Sequence, residues 1–183
     1  MRDKGKLLMF FLIGSEAFFF IALIIAYVYY RNITHATDTV TANLNVPRAA
    51  VLTCCLVLSS GSLMWSKKAF LKNKTVHFKL GMSTTLLLST VFMVGQIIEY
   101  IELYKKQITL DKDIFGSSFF TLTGFHSLHV IIGIIAIGIL FSFSFIKFKN
   151  LIKNAISAVE VYWHFVDVVW LFVFFFVYIK PLL

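Results

Sequence analysis

Eight polar or ionisable residues stand inside long apolar stretches of this 183-residue sequence: Glu16, Gln96, Glu99, His126, His129, Glu160, His164 and Asp167. A charged side chain in hydrocarbon is expensive, so such residues face a bundle interior or a water-filled cavity. Three kinds of chemistry use them. Glu, Asp and His in series can relay protons. Histidines on facing helices can ligate a metal or haem. A carboxylate such as Glu16 can anchor a lipid or act on a neighbouring subunit. The plain alternative is a set of interhelical hydrogen bonds that fix packing. That alternative suits Gln96, Glu99, His126, His129, Glu160, His164 and Asp167. Glu16 suits a functional role, because it sits among phenylalanines with no obvious local partner.

Spacing sorts these residues. Glu160, His164 and Asp167 follow i, i+4, i+7 and share one helical stripe, which should face protein. At about 1.5 Å rise per residue, Glu16 lies about 15 Å in from Lys6 and His164 about 16 Å in from Lys153. These two should share a level near the midplane. Gln96, about 13 Å from Lys105, matches His126, about 15 Å from Gly116. A metal or haem site is disfavoured. His126 and His129 stand three apart on one helix, with no soft ligands beside them. Cys54 and Cys55, the only cysteines, are adjacent within one apolar span and read as inert small residues.

The elements that must hold these groups are membrane helices. The chain is 59% hydrophobic, above the usual share for a soluble domain. A span needs about 20 mostly apolar residues. Residues 7–30, 49–66, 80–101, 117–146 and 155–179 qualify. The expected fold is therefore all-α, one membrane domain over residues 1–183 with five transmembrane helices and no separate soluble domain. Neighbours in sequence should pack antiparallel. Pro47 suits the start of the second helix. Asp111 and Asp113 are expected to cap the fourth. Glycines 14, 61, 95, 124, 133 and 138 suit close helix packing. The basic start followed by an apolar run is too long for a signal peptide and reads as a retained first helix.

A net charge of +8 raises the question of a nucleic-acid partner, which the distribution of charge disfavours. Eleven basic residues fall on one face of the topology and six on the other. By the positive-inside rule, the N-terminus is cytoplasmic and the C-terminus outside.

The motifs then point to a family. Residues 162–172, Tyr-Trp-His-Phe-Val-Asp-Val-Val-Trp-Leu-Phe, resemble the terminal-helix signature of subunit III of the haem–copper terminal oxidases. Residues 123–130, Thr-Gly-Phe-His-Ser-Leu-His-Val, resemble the family's other histidine helix, in which glycine more commonly stands at Ser127. Gly95-Gln96-Ile97-Ile98-Glu99-Tyr100 and Ser15-Glu16-Ala17-Phe18-Phe19-Phe20 resemble two further segments, and all four occur in family order.

The resemblance implies an accessory, non-redox subunit of a proton-pumping oxygen reductase in aerobic respiration. A cytochrome c oxidase is favoured over a quinol oxidase. Haems and copper would lie in partner subunits, with no cofactor and no catalytic centre in this chain. Partners would be oxidase subunit I, other subunits and membrane phospholipid. Glu16 would be the buried carboxylate facing subunit I and lipid, supporting proton uptake. The other seven residues would form the polar framework. Longer members have seven helices, and this sequence begins at the position of their third, so the family's full lipid cleft would need another subunit. Five-helix forms are familiar in bacteria, which gives a multi-pass protein of the cytoplasmic membrane. The rival readings are a related subunit of a nitric oxide reductase, a stand-alone proton or ion transporter, and a haem-binding cytochrome subunit. A transporter should show an inverted repeat and broken helices, and neither is apparent.

Overall fold

A computed structural model describes residues 2–34, 44–106, 108, 114–144 and 149–182. Every element among the described residues is helical: α1 (Arg2–Thr34), α2 (Val46–Leu71), α3 (Thr75–Lys105), α4 (Ile114–Phe143) and α5 (Lys149–Phe174). A π-helical turn, Phe175–Ile179, and a 3-10 turn, Lys180–Leu182, end the chain. All five long helices are long and apolar enough to cross a membrane. Helix is what lipid demands of such segments, because every backbone N–H and C=O must be satisfied within the span.

Most of these helices run past the apolar stretches by a turn or more. Backbone hydrogen bonding continues through residues such as Lys67, Lys68 and Lys105, whose aliphatic stems can lie along the helix while the ammonium reaches the interface. The expected Asp111 and Asp113 cap lies outside the described residues. Helix α2 carries Pro47 in its first turn, with Asn45 Oδ1 accepting from the Arg48 N–H at 3.1 Å. Its other end closes tightly. The Lys74 N–H reaches the Ala69 carbonyl at 2.9 Å and the Asn73 N–H reaches that of Phe70 at 3.0 Å. That is the Schellman pattern, with the left-handed residue (φ 55°) supplied by Asn73.

Helices α2, α3, α4 and α5 close a four-membered ring, and α1 lies against α4 and α5. The expected pairing of α1 with α2 is therefore replaced, because α4 supplies the complementary surface: Phe125 meets Phe19 edge-on at 5.0 Å, and His129 meets Glu16. Only 6% of the spanning stretch of α1 is buried, against 39–44% in the other four.

The α2–α3 seam is the closest. Ser62 and Ser66 on α2 donate to the Gly81 and Phe78 carbonyls at 2.9 and 2.8 Å. A Cβ at Gly81 would stand 2.7 Å from Ser66 Cβ. Gly95 and Gly133 have similar reasons to be glycine, lying against Leu52 and Trp163, whereas Gly14, Gly61 and Gly138 face open space. Among the described residues nothing packs on those three.

Candidate functional site

Helix α1 puts Glu16 against α4. Glu16 Oε2 lies 3.2 Å from His129 Nε2. The other ring nitrogen, Nδ1, is 2.7 Å from the Phe125 carbonyl oxygen, one turn back on the same helix. A carbonyl can only accept, so Nδ1 carries a proton. In the neutral ring Nε2 then has only a lone pair, and so has a carboxylate oxygen. A contact between them holds one proton, as imidazolium and carboxylate or as imidazole and carboxylic acid. Phe20 packs edge-on to the His129 ring at 5.0 Å, and Tyr162 from α5 donates to the His129 carbonyl at 3.1 Å. The histidine is thus well fixed, its side chain 12% exposed, while Glu16 remains 34% exposed on the α1 side.

Glu16 therefore has a partner, and it is His129, where depth alone suggested His164. Depth gives a level on a helix and says nothing of the direction a residue faces around it. His164 is half-buried, and among the described residues no hydrogen bond or ion pair reaches its ring.

A second cluster joins α3 to the tail of α5. Gln96 Nε2 donates to Glu99 Oε2 at 3.3 Å, and the Tyr178 hydroxyl donates to the same oxygen at 2.7 Å. The π-helical turn carries Tyr178 to this position. It also leaves the Phe176 carbonyl to accept from Arg31 Nη1 on α1 at 3.4 Å, and Lys180 Nζ lies 5.6 Å from the Phe176 ring centroid. His126, matched in depth to Gln96, stacks instead on Trp170 at 4.8 Å, with the rings of Phe20 and Phe92 at its edges.

The stripe on α5 meets α2. Glu160 pairs with Lys67, and Asp167 accepts from Ser60. Two tryptophans of the same helix continue the line, Trp163 Nε1 donating to Ser59 Oγ at 3.0 Å and Trp170 Nε1 to Thr53 Oγ1 at 2.9 Å. Sequence reasoning missed the α2 partners. Thr53, Ser59 and Ser60 look like ordinary small residues, and Lys67 looked like a loop charge. Their signal was periodic: Thr53 and Ser60 stand seven apart and Ser59 and Ser66 seven apart, each pair on one face. Also missed were the forked pair of Arg48 with Glu102, at 2.6 and 2.7 Å, and the Tyr100 hydroxyl on Thr123 Oγ1 at 2.7 Å.

These three histidines thus serve separate ends: His129 holds Glu16, His126 stacks in the core, and His164 has no hydrogen-bond partner among the described residues. Among the described residues, no group of three or more His, Cys, Asp or Glu side chains is placed to hold a metal ion.

The family model described as Cytochrome c oxidase subunit III matches residues 3–181. The chain belongs to this family. It is 39% identical over 137 residues to Cytochrome c oxidase subunit 3 of Corynebacterium diphtheriae, covering 74% of this chain and 67% of that protein. It is 33% identical over 176 residues to the protein of the same name in Osphranter robustus, covering 91% of this chain and 66% of the relative. The Mus musculus protein is 33% identical over 180 residues, or 93% of this chain and 67% of its own length. The chain spans about two thirds of the length of these subunit III relatives. The expectation of an accessory, subunit III-type chain of cytochrome c oxidase stands with the family, as does that of a multi-pass membrane protein.

Proposed function

We propose that this subunit III chain flanks the catalytic subunit of a proton-pumping cytochrome c oxidase through the face of α1, and that Glu16 with His129 is a one-proton site that supports proton uptake there. The observation that carries this is the Glu16–His129 contact, with Nδ1 already committed to the Phe125 carbonyl. A pair that must contain one proton, with its carboxylate a third exposed on a poorly buried helix, suits a place where a neighbouring chain comes near. Glu99, Gln96, His126, Glu160, His164 and Asp167 are read as packing framework. Haems and copper belong to the partner subunits, phospholipid is a ligand of the α1 surface, and the setting is a bacterial cytoplasmic membrane with the N-terminus inside. The charge asymmetry supports that orientation.

The test is Glu16→Gln in the intact oxidase. The amide can still donate to a neutral His129 ring, so assembly and the haem spectrum should be unchanged, while proton uptake or the enzyme's lifetime in turnover falls. Wild-type uptake and lifetime would remove the role. A reporter fused after Leu183 should read as outside, and a cytoplasmic signal would reverse the orientation.

A further inference from the structure

Three helices of the ring leave polar atoms in its interior without a protein partner. Among the described residues, neither ring nitrogen of His126 has one, nor does Glu99 Oε1 or Asp167 Oδ1. All three residues are more than nine-tenths buried, His126 at 0% exposure, Glu99 at 3% and Asp167 at 7%. Native proteins rarely tolerate this. Most buried polar atoms are hydrogen-bonded, and each that is not costs its full desolvation.

A chain of aromatic contacts relates the three. His126, Phe92 and Trp170 meet where α4, α3 and α5 face one another: His126 to Trp170 is 4.8 Å, Phe92 to Trp170 4.8 Å and Phe92 to His126 6.1 Å. Asp167 is about one turn from Trp170 along α5, and Glu99 about two turns from Phe92 along α3. Trp170 is also 6.4 Å from Tyr178, which donates to the other oxygen of Glu99.

The chemistry of the four atoms selects the ligand. A neutral imidazole offers one N–H donor and one lone pair, so it needs a partner that both accepts and donates. A carboxylate oxygen needs a donor. An anion would serve only the N–H. A cation would serve only the lone pairs, and no ligand set for one is assembled among the described residues. Water serves every atom, and it is what proteins commonly place beside otherwise unsatisfied buried groups. We infer that His126 is the centre of an internal hydration site between α3, α4 and α5, binding ordered water that extends toward Glu99 and Asp167. The site is independent of the role given to Glu16.

Two measurements on the complete oxidase test it. A density map that resolves ordered solvent should show a water about 2.7–3.2 Å from a His126 ring nitrogen. Ring nitrogens bonded to protein atoms, or with no density beside them, overturn the inference. The second measurement is the thermal release of this subunit from the complex. If the imidazole is dry, His126→Phe removes two unsatisfied nitrogens and should raise the midpoint. If it is hydrated, His126→Phe should lower the midpoint, and His126→Asn, which keeps a donor and an acceptor, should retain more of it. A Phe variant that no longer assembles counts with the lowered midpoint. A raised midpoint, or an Asn variant that falls as far as Phe, overturns the site.

Discussion

The α2-facing side of the bundle and the α1-facing side treat polar groups in opposite ways. Against α2, the donors and acceptors in the middle of the span come from different helices and are shielded, and the two ion pairs, Arg48 with Glu102 and Lys67 with Glu160, stand toward the ends of that helix. Trp163 meets Ser59, Trp170 meets Thr53, Asp167 meets Ser60, and Ser62 and Ser66 hold the backbone of α3. Against α1, Arg31 reaches the Phe176 carbonyl, and among the described residues one carboxylate pairs with a histidine, its side chain a third exposed on the helix with the least buried span. The first arrangement consumes its polar groups in holding helices together, and each such bond contributes about 0.6 kcal/mol in a bilayer. The second leaves a polar group turned toward whatever lies next to the chain. Polar residues in a membrane bundle therefore divide by what they face, and not by residue type. Asp167 and Glu16 are both carboxylates at membrane depth with opposite expected roles.

Substitutions can break or sharpen this contrast. Gly81→Val should act most strongly, since its Cβ would stand 2.7 Å from Ser66 Cβ and 3.1 Å from the Ser62 carbonyl oxygen. Backbone offers little room to yield, and overpacking of this kind costs about 3 kcal/mol. Loss of the subunit from the purified complex is the expected readout. Asp167→Leu strands the Ser60 hydroxyl and should cost about 1–3 kcal/mol, seen as a reduced yield of co-purified subunit. Normal yield would detach α5 from the structural role given to its stripe. Trp170→Phe loses the Thr53 bond, about 0.6 kcal/mol, together with the part of the buried indole that a phenyl ring does not replace beside His126 and Phe92, and a drop in the midpoint of thermal release is the readout. Glu16→Gln closes the series with no measurable change in the subunit's thermal release, and its effect appears in proton uptake or in the enzyme's lifetime in turnover. A stability loss at Glu16 comparable to that at Asp167 would erase the distinction between the two sides.

The five-helix fold was legible because lipid imposes a simple length and composition on a span. Buried polar side chains were legible for a related reason: Glu99, His126 and Asp167 are conspicuous where apolar residues are the rule. What stayed hidden was rotation and partner choice. Rise per residue placed Glu16 and His164 at one level, yet the packing of α1 against α4 turned Glu16 to His129. Hydroxyl side chains escaped notice because in lipid they can satisfy themselves on their own helix, as Thr53 does on the Ala49 carbonyl at 2.8 Å. Nothing in their type announces that they also receive a tryptophan. Lys67 was misplaced because a positive charge usually marks the end of a span, whereas here the helix continues past it and Glu160 accepts it.

The π-helical turn at Phe175–Ile179 bears on how the end of this chain can change over time. Such a turn has the shape of one residue inserted into an ordinary helix. Deleting one residue within the turn would let it relax to regular geometry with the residues after it facing as they do now, so the contacts of Tyr178 with Glu99 and of the Phe176 carbonyl with Arg31 would survive. A residue removed from the ordinary helix before it would instead turn all that follows by about 100° and break both contacts in a single step. The turn is therefore the one place in this helix where length can change without setting its two ends against each other.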